Sequence, residues 1–218
     1  MIRISVLSTI CLISVIPGLA RIGDNEQSLE RRLTADRLAV EIRGDSAQRM
    51  VERGPLRRFL DLTEELEDAF EYRVYFKSAN GERLSTTDAK GARLEDGWTY
   101  TGMFLKGVVV AETYERKKAE GDSRINPHEK KGLLIINQHS FAWDELDNMT
   151  LPSGEEVEGM TQYDYLRNDG KVFAKFERNH AIFMRKELDE KLREQRSIKN
   201  AEIDEEHRGA LELSIAGF

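Results

Sequence analysis

The alternation of apolar and polar residues is clearest between Trp98 and Tyr114, where it predicts two β-strands. Lys106-Gly107 separates the strands, and glycine suits the positive φ angle that a two-residue hairpin loop requires. Alternate side chains of a strand share a face, so Trp98, Tyr100 and Phe104 point the same way. The stretch therefore predicts a β-hairpin at the centre of a sheet.

The aromatic residues of this hairpin have two interpretations. Together with a downstream tryptophan they form a candidate interaction surface, whose members are Trp98, Tyr100, Phe104, Tyr114 and Trp143. They also suit the protein interior, because aromatic residues in strands mostly pack in the core. Core packing is the favoured interpretation, and the interaction surface is the alternative.

Capping residues and apolar spacing predict several helices. Asp24 is predicted to be a helix N-cap, and leucines four residues apart follow it in a helix of about residues 25–34. Gly54-Pro55 breaks a helical stretch and starts another helix, which is expected to run to about Ala69. Asn126, followed by proline and by glutamate at the third position, begins a further helix.

Further strands and a long helix are predicted from alternation, turn residues and charge spacing. Tyr72–Phe76 alternates like a strand and precedes Asn80-Gly81, the strongest hairpin dipeptide in the chain. A third hairpin is expected from Met160 to Phe176, with another strand after it. The charged stretch Lys186–Arg208 predicts a long, mostly exposed helix with a thin apolar stripe, which Gly209 ends.

These elements define an α+β protein: an antiparallel sheet built from hairpins, with helices packed on one face and a long C-terminal helix. Gly107–Ala111 and Gly170–Ala174 align at glycine, valine and alanine. The alignment suggests two diverged helix-plus-hairpin units, and two unrelated hairpins are the equal alternative. The predicted organisation is a signal peptide over 1–20, a first unit over 21–117 with a helical insertion at about 38–70, a second unit over 118–185, and a charged helix with an apolar tail over 186–218.

The first residues predict a secretory signal peptide. Arg3 is followed by a short apolar run, and the segment ends on the small residue Ala20. The run is shorter than the roughly 20 residues that a membrane-spanning helix needs, and no later stretch supplies one. We expect export to the periplasm or the exterior after cleavage near Ala20. Cys11, the only cysteine, leaves with the segment, which excludes disulfides, thiol catalysis and cysteine-ligated zinc in the mature chain.

The charge of the mature chain disfavours nucleic acid as a partner. Of the 33 basic residues only Arg3 is lost with the segment, which leaves 32 against 40 acidic residues and a net charge of −8. Binding to nucleic acid requires a basic footprint. Acidic charge spread along the chain is typical of a soluble secreted protein. The expected partner is a protein or a component of the envelope.

Residues that catalyse reactions or bind metals form no recognisable motif. No two histidines have metal-binding spacing among the four present: His128, His139, His180 and His207. His139-Ser140, near Asp144 and Glu145, lacks the strand–turn–helix setting of a nucleophile. No catalytic residue, cofactor or metal is therefore assigned. The leading hypothesis is a non-catalytic binding module, and the alternatives are a hydrolase with dispersed residues and a structural envelope protein.

Three stretches resemble a known group of sequences: Arg21-Ile-Gly-Asp24 with the following Leu29 and Arg32-Leu33, then Gly107–Tyr114, then Leu166–Gly170. They are similar to short secreted proteins of unknown function from planctomycete–verrucomicrobial bacteria. The resemblance covers roughly half of the mature chain; it implies an exported protein and carries over no catalytic residue, because the group has no known activity. More distantly, the chain resembles small outer-membrane-assembly lipoproteins and β-lactamase-inhibitor-like modules, which pack two helices on a curved antiparallel sheet. It lacks the lipid-anchor cysteine of the former.

Overall fold

A computed structural model describes residues 22–34, 39–66, 68–79, 96–118, 120–138, 140–146 and 163–215. Five helices lie in these ranges: α1 (Glu26–Thr34), α2 (Gly44–Arg53), α3 (Arg57–Thr63), α4 (Pro127–Asn137) and α5 (Lys186–Ile215). The strands are β1 (Ala39–Ile42), β2 (Phe70–Ser78), β3 (Gly97–Leu105), β4 (Val108–Lys117), β5 (Trp143–Glu145), β6 (Tyr165–Arg167), β7 (Val172–Phe176) and β8 (His180–Arg185). The chain is an α+β protein, as predicted.

One antiparallel sheet contains all eight of these strands, in the order β1-β2-β3-β4-β8-β7-β6-β5. The predicted hairpin is confirmed as β3 and β4, which lie near its middle. Lys106 and Gly107 form the loop with φ angles of 52° and 73°, both positive as in a tight hairpin turn. The sheet also joins the two predicted units, because β4 pairs directly with β8.

The helices cover both faces of the sheet rather than the single face expected from the sequence. On the first face, α1 and α4 pack on a cluster that includes Tyr100 and Phe183. On the second face, α2, α3 and α5 pack on clusters that include Phe76, Met103 and Met184. The physical reason is that β3 and β4 are buried on both sides, so apolar side chains on each face need a covering layer.

Some predicted boundaries differ from the observed ones. The helix after Gly54-Pro55 ends at Thr63 rather than near Ala69, and β2 begins at Phe70. The expected helical insertion also contains a strand, β1. The last helix extends through Gly209 to Ile215, because one glycine costs a helix only about 1 kcal/mol.

Several predictions lie outside the described residues. They are the signal peptide over 1–20, the Asn80-Gly81 turn with its return strand, the start of the third hairpin at Met160, and His139.

The described residues include no helix that is long and apolar enough to cross a membrane.

Candidate functional site

The predicted aromatic surface lies in the interior of the protein. Tyr100, Phe104 and Tyr114 are 3%, 3% and 4% exposed, and they belong to one apolar cluster beneath α1 and α4. Trp98 and Trp143 are half-buried against the same cluster. The structure thus brings all five residues together on one face, but as core residues. Core packing is the interpretation that the structure supports.

A buried carboxylate lies among these aromatic rings. Glu112 has no exposed surface, and it accepts hydrogen bonds from the hydroxyls of Tyr100 at 3.0 Å and Tyr114 at 2.8 Å. Its partner across the strand pair is Gly102. A Cβ atom at Gly102 would lie 2.8 Å from the Tyr100 hydroxyl, so the glycine leaves the space that this hydroxyl occupies. Sequence reasoning missed this arrangement, whose only signal is a glutamate directly after the apolar run Val108–Ala111.

A groove of about 980 Å³ lies between α2 and α3 and is here called the α2–α3 groove. Its floor is apolar apart from the threonine and tyrosine hydroxyls, and consists of Ala47, Val51, Leu60, Thr63, Leu66, Phe70 and Tyr72. Its rim carries six charged side chains: Glu52, Arg53, Arg57, Asp61, Glu64 and Asp68. A groove of this volume is within the range that binds small molecules and short peptide segments.

The hydroxyls of Thr63 and Tyr72, on the floor of the α2–α3 groove, are fixed by hydrogen bonds. Thr63 donates a hydrogen bond to the carbonyl oxygen of Leu60 at 2.8 Å. Its hydroxyl oxygen lies 3.4 Å from that of Tyr72, and because the Thr63 proton is already used, Tyr72 is the donor. Burial raises the pKa of Tyr72, so this side chain remains a neutral phenol at physiological pH.

A second, smaller cavity of about 200 Å³ lies beneath the connection between α2 and α3, here called the threonine cavity. The end of α2 and the connection after it line the cavity with Met50, Arg53, Gly54 and Pro55, and the sheet lines it with Thr99, Thr101, Thr113, Glu115 and Lys117. The three threonines are at most 4% exposed. The buried hydroxyl of Thr99 has no hydrogen-bond partner within the described ranges.

An ion pair forms one wall of the threonine cavity. Nζ of Lys117 lies 2.6 Å from Oε1 of Glu115, and the two side chains are 31% and 22% exposed. The side-chain amide of Asn179 donates to the same carboxylate oxygen at 3.5 Å. Glu115 therefore connects the cavity wall to the loop that precedes β8.

His180 continues this polar network away from the threonine cavity. Its Nδ1 lies 3.2 Å from the amide oxygen of Asn179, and its Nε2 lies 3.2 Å from Glu177, which also contacts Arg58 at 3.3 Å. Because an amide oxygen only accepts hydrogen bonds, Nδ1 carries a proton. Burial lowers the pKa of His180 below 6.5, and the carboxylates of Glu177 and Glu115 oppose that shift in part.

Three of the residues considered for hydrolysis lie in the described ranges, and all three are exposed. Ser140 lies on an exposed turn, and Asp144 and Glu145 are exposed on β5. Glu145 accepts a hydrogen bond from the hydroxyl of Tyr165 at 3.1 Å. Across the described part of the chain, no group of three or more His, Cys, Asp or Glu residues is placed to hold a metal ion.

The fold and its cavities define an α+β protein with one antiparallel sheet, covered on both faces, and a charged groove between two short helices. Comparison of the chain with protein families, with curated proteins and with solved structures finds no match. The relationship to secreted planctomycete–verrucomicrobial proteins therefore remains a prediction from the sequence.

Proposed function

We propose that this protein is an exported, non-catalytic binding module whose α2–α3 groove takes up a short polypeptide segment with basic and apolar side chains. The observation that supports the proposal is the combination of an apolar floor with a charged, open rim in this groove of about 980 Å³. Apolar lining with a few placed polar groups is the usual character of a binding site.

The charge of the rim determines which ligand we propose. Four of its charged residues are acidic and two are basic, so the groove carries a net charge of −2. Asp68 is paired with Lys106 at 3.7 Å and with Lys191 at 3.5 Å. Asp61 and Glu64 are exposed on the same rim. A ligand with lysine or arginine side chains gains favourable contacts there, whereas an acidic ligand is repelled.

Export is the second part of the proposal, and it rests on the apolar run and small terminal residue of segment 1–20. A protein released at Ala20 would meet its partner in the envelope or outside the cell. The N-terminal residue of protein purified from the native host tests this part. An N-terminus far from Arg21 would contradict it.

Peptide binding to the mature chain tests the proposed groove. The probe is a fluorescently labelled hexapeptide of alternating lysine and leucine, and the control peptide alternates glutamate and leucine. We expect a double variant, Asp61→Lys with Glu64→Lys, to weaken binding of the basic peptide about tenfold, because tenfold corresponds to about 1.4 kcal/mol and each exposed charge contact contributes about 0.2–1 kcal/mol.

The matched control is Glu202→Lys with Glu205→Lys, which makes the same charge change on the exposed part of α5. The control variant is expected to bind the basic peptide nearly as well as the wild type. Equal weakening in both variants would show a general effect of net charge and would refute the groove. Equal affinity for the two peptides would refute the proposed ligand class.

A further inference from the structure

The first residues of β2 have a free edge. β1 pairs with β2 only as far as Ile42, opposite Val74, whereas β2 begins at Phe70 and pairs with β3 over its whole length. After Ile42 the chain leaves the sheet and enters α2. Val74 has no exposed surface, but residues 70–73 are half-buried or exposed. The covering of β2 therefore ends where β1 ends.

The register of the sheet shows which backbone groups face this edge. The N–H of Ala79 donates to the carbonyl oxygen of Asp96 at 2.8 Å, which continues the register of β2 with β3. Hydrogen-bonded pairs alternate along an antiparallel ladder, so the odd-numbered residues 71–77 also face β3. Phe70 and Tyr72 therefore direct their N–H and C=O groups away from β3, to the side on which β1 has ended. No backbone hydrogen bond joins either residue to a described residue outside the β2–β3 ladder.

Open space lies along these backbone groups. A cavity of about 510 Å³ borders the edge and is lined by residues 41–44, Ala47 and residues 71–73. The α2–α3 groove borders the same edge through Phe70 and Tyr72. Gly44 lines both spaces, and a Cβ atom there would meet no atom within 4 Å, so no side chain at this position separates them. The groove therefore continues along the edge of β2.

The two faces of β2 differ at this edge. Directly opposite residues of an antiparallel pair share a face. Tyr72 lies opposite Met103 on the second face, and Glu71 lies opposite Phe104 on the first face. The rings of Phe70 and Tyr72 thus belong to the face of the α2–α3 groove, and the carboxylate of Glu71 belongs to the other face. A strand added here would have one apolar and one charged side.

We propose that the peptide segment binds in an extended conformation and adds a strand to β2, in line with β1. Its backbone exchanges hydrogen bonds with Phe70 and Tyr72, and its apolar side chains share their face. The rest of the segment lies in the α2–α3 groove, whose rim is acidic. An unpaired strand edge is a template for another chain, and in strand addition the main-chain hydrogen bonds provide affinity while alternate side chains provide specificity. The inference rests on the proposed function and adds that the peptide is recognised through its backbone.

Hydrogen exchange of the mature chain, measured by nuclear magnetic resonance, tests the inference. In the free protein the amides of Phe70 and Tyr72 are expected to exchange rapidly. The lysine–leucine hexapeptide at about ten times its Kd is expected to slow both about tenfold, because only the free fraction then exchanges. The amides of Glu71 and Arg73 are the matched control, because they face β3 and are protected with and without peptide. Unchanged exchange at Phe70 and Tyr72 in the complex would overturn the inference and leave the proposed groove standing.

Two N-methylated hexapeptides separate backbone pairing from side-chain contacts. One is methylated on the leucine amides and the other on the lysine amides, so each keeps every side chain and loses alternate N–H donors. One of them is expected to bind about tenfold more weakly than the unmodified peptide, because it loses the donors that point at β2. This is the leucine-methylated peptide if the added strand is antiparallel and the lysine-methylated peptide if it is parallel. Equal affinities of the two methylated peptides would overturn the inference.

Two further outcomes are informative about the occupant of the edge. If the lysine–leucine peptide does not bind at all, the proposed function is refuted and strand addition is refuted with it. If Phe70 and Tyr72 are already protected in the free protein, and their protection increases with protein concentration, a second copy of the chain occupies the edge and the inference is overturned.

Discussion

The hydroxyl of Tyr163 donates a hydrogen bond of 2.6 Å to Oδ1 of Asp189, and the two residues are only 3% and 2% exposed. Oδ2 of Asp189 also accepts a hydrogen bond of 2.6 Å from Nε of Arg193, which lies one turn further along α5. Tyr163 stacks on Phe173 of β7, with ring centroids 4.6 Å apart and an angle of 7° between the ring planes. The contact therefore fixes the first turns of α5 to the sheet. Burial and the Asp189 carboxylate raise the pKa of Tyr163, so the hydroxyl remains a donor.

Removal of this hydroxyl is expected to destabilise the protein. Tyr163→Phe deprives a buried carboxylate of one donor, at a cost of about 1–3 kcal/mol in the free energy of unfolding, measured by urea denaturation. The matched control is Tyr165→Phe, because Tyr165 donates to the exposed Glu145. We expect the control to change stability by less than about 0.5 kcal/mol. If the control loses more free energy of unfolding than Tyr163→Phe does, this role of Asp189 is contradicted.

A second prediction concerns the space opposite Glu112. Gly102→Ala places a Cβ atom 2.8 Å from the Tyr100 hydroxyl and 3.1 Å from the ring of Phe104, so the Tyr100–Glu112 hydrogen bond is disturbed. Overpacking of this kind costs about 1–3 kcal/mol. Gly132→Ala is the control, because it lies within α4 and its Cβ would meet no atom within 4 Å. Alanine at Gly132 is expected to stabilise the helix by about 0.5–1 kcal/mol. If both variants shift the midpoint temperature of thermal unfolding in the same direction, the prediction is contradicted.

A third prediction concerns stability in acid. Burial acts to raise the pKa of Asp169, but hydrogen bonds from Arg167 and from the amide of Lys171 hold it below 3.8. A carboxyl with a lowered pKa in the folded state adds stability above its unfolded pKa, and that stability is lost as the pH falls through the folded pKa. Asp169→Asn is therefore expected to flatten the pH dependence of the urea midpoint below pH 3.8. A slope equal to that of the wild type would exclude this carboxyl as its source.

A fourth prediction concerns the protonation of His180. Because burial lowers its pKa below 6.5, folded protein binds the proton less readily than unfolded protein, and stability is lost as the pH falls from 6.5 through the folded pKa. Glu177→Gln removes a carboxylate that opposes this shift, so it is expected to lower the pKa of His180 further. Titration of the imidazole proton signals by nuclear magnetic resonance measures the pKa of His180 in the wild type and in the variant. A pKa above 6.5 in the wild type, or a rise in the variant, would be contrary to expectation.

Local signals in the sequence predicted the local parts of this fold. Lys106-Gly107 indicated the central turn, Gly54-Pro55 indicated the end of α2, and Asn126 indicated the start of α4. Asn126 forms the full capping box with Glu129, in which each side chain accepts a hydrogen bond from the other residue's backbone amide. These features depend on a few neighbouring residues, which is why they can be seen in the chain alone.

The faces of the strands were harder to predict because of one irregularity. The register changes between Met103, opposite Ala111, and Phe104, opposite Val109, so Val110 is an additional residue in β4. Strict alternation would place Val109 and Ala111 on one face, but they belong to clusters on opposite faces. A bulge of this kind has no clear sequence signal in a run of three valines.

The cavity and the polar network could not be predicted from the sequence, because distant parts of the chain form them. The threonine cavity joins the connection at Gly54-Pro55 to β3 and β4, which are more than forty residues further along the chain. The polar network at His180 likewise depends on the pairing of β4 with β8. Such contacts are set by the order of strands in the sheet, and the spacing of residues in the sequence carries no information about that order.

The position of β8 in the sheet has a consequence for how the protein is made. β4 is a strand of ten residues, and its second edge is paired only when residues 180–185 are present. An incomplete chain that ends before β8 would present this long strand, which begins with an apolar run, with unpaired backbone groups, which is a template for aggregation. Synthesis must therefore reach β8 before the central strands are protected, and products that terminate before it are expected to collect in the insoluble fraction.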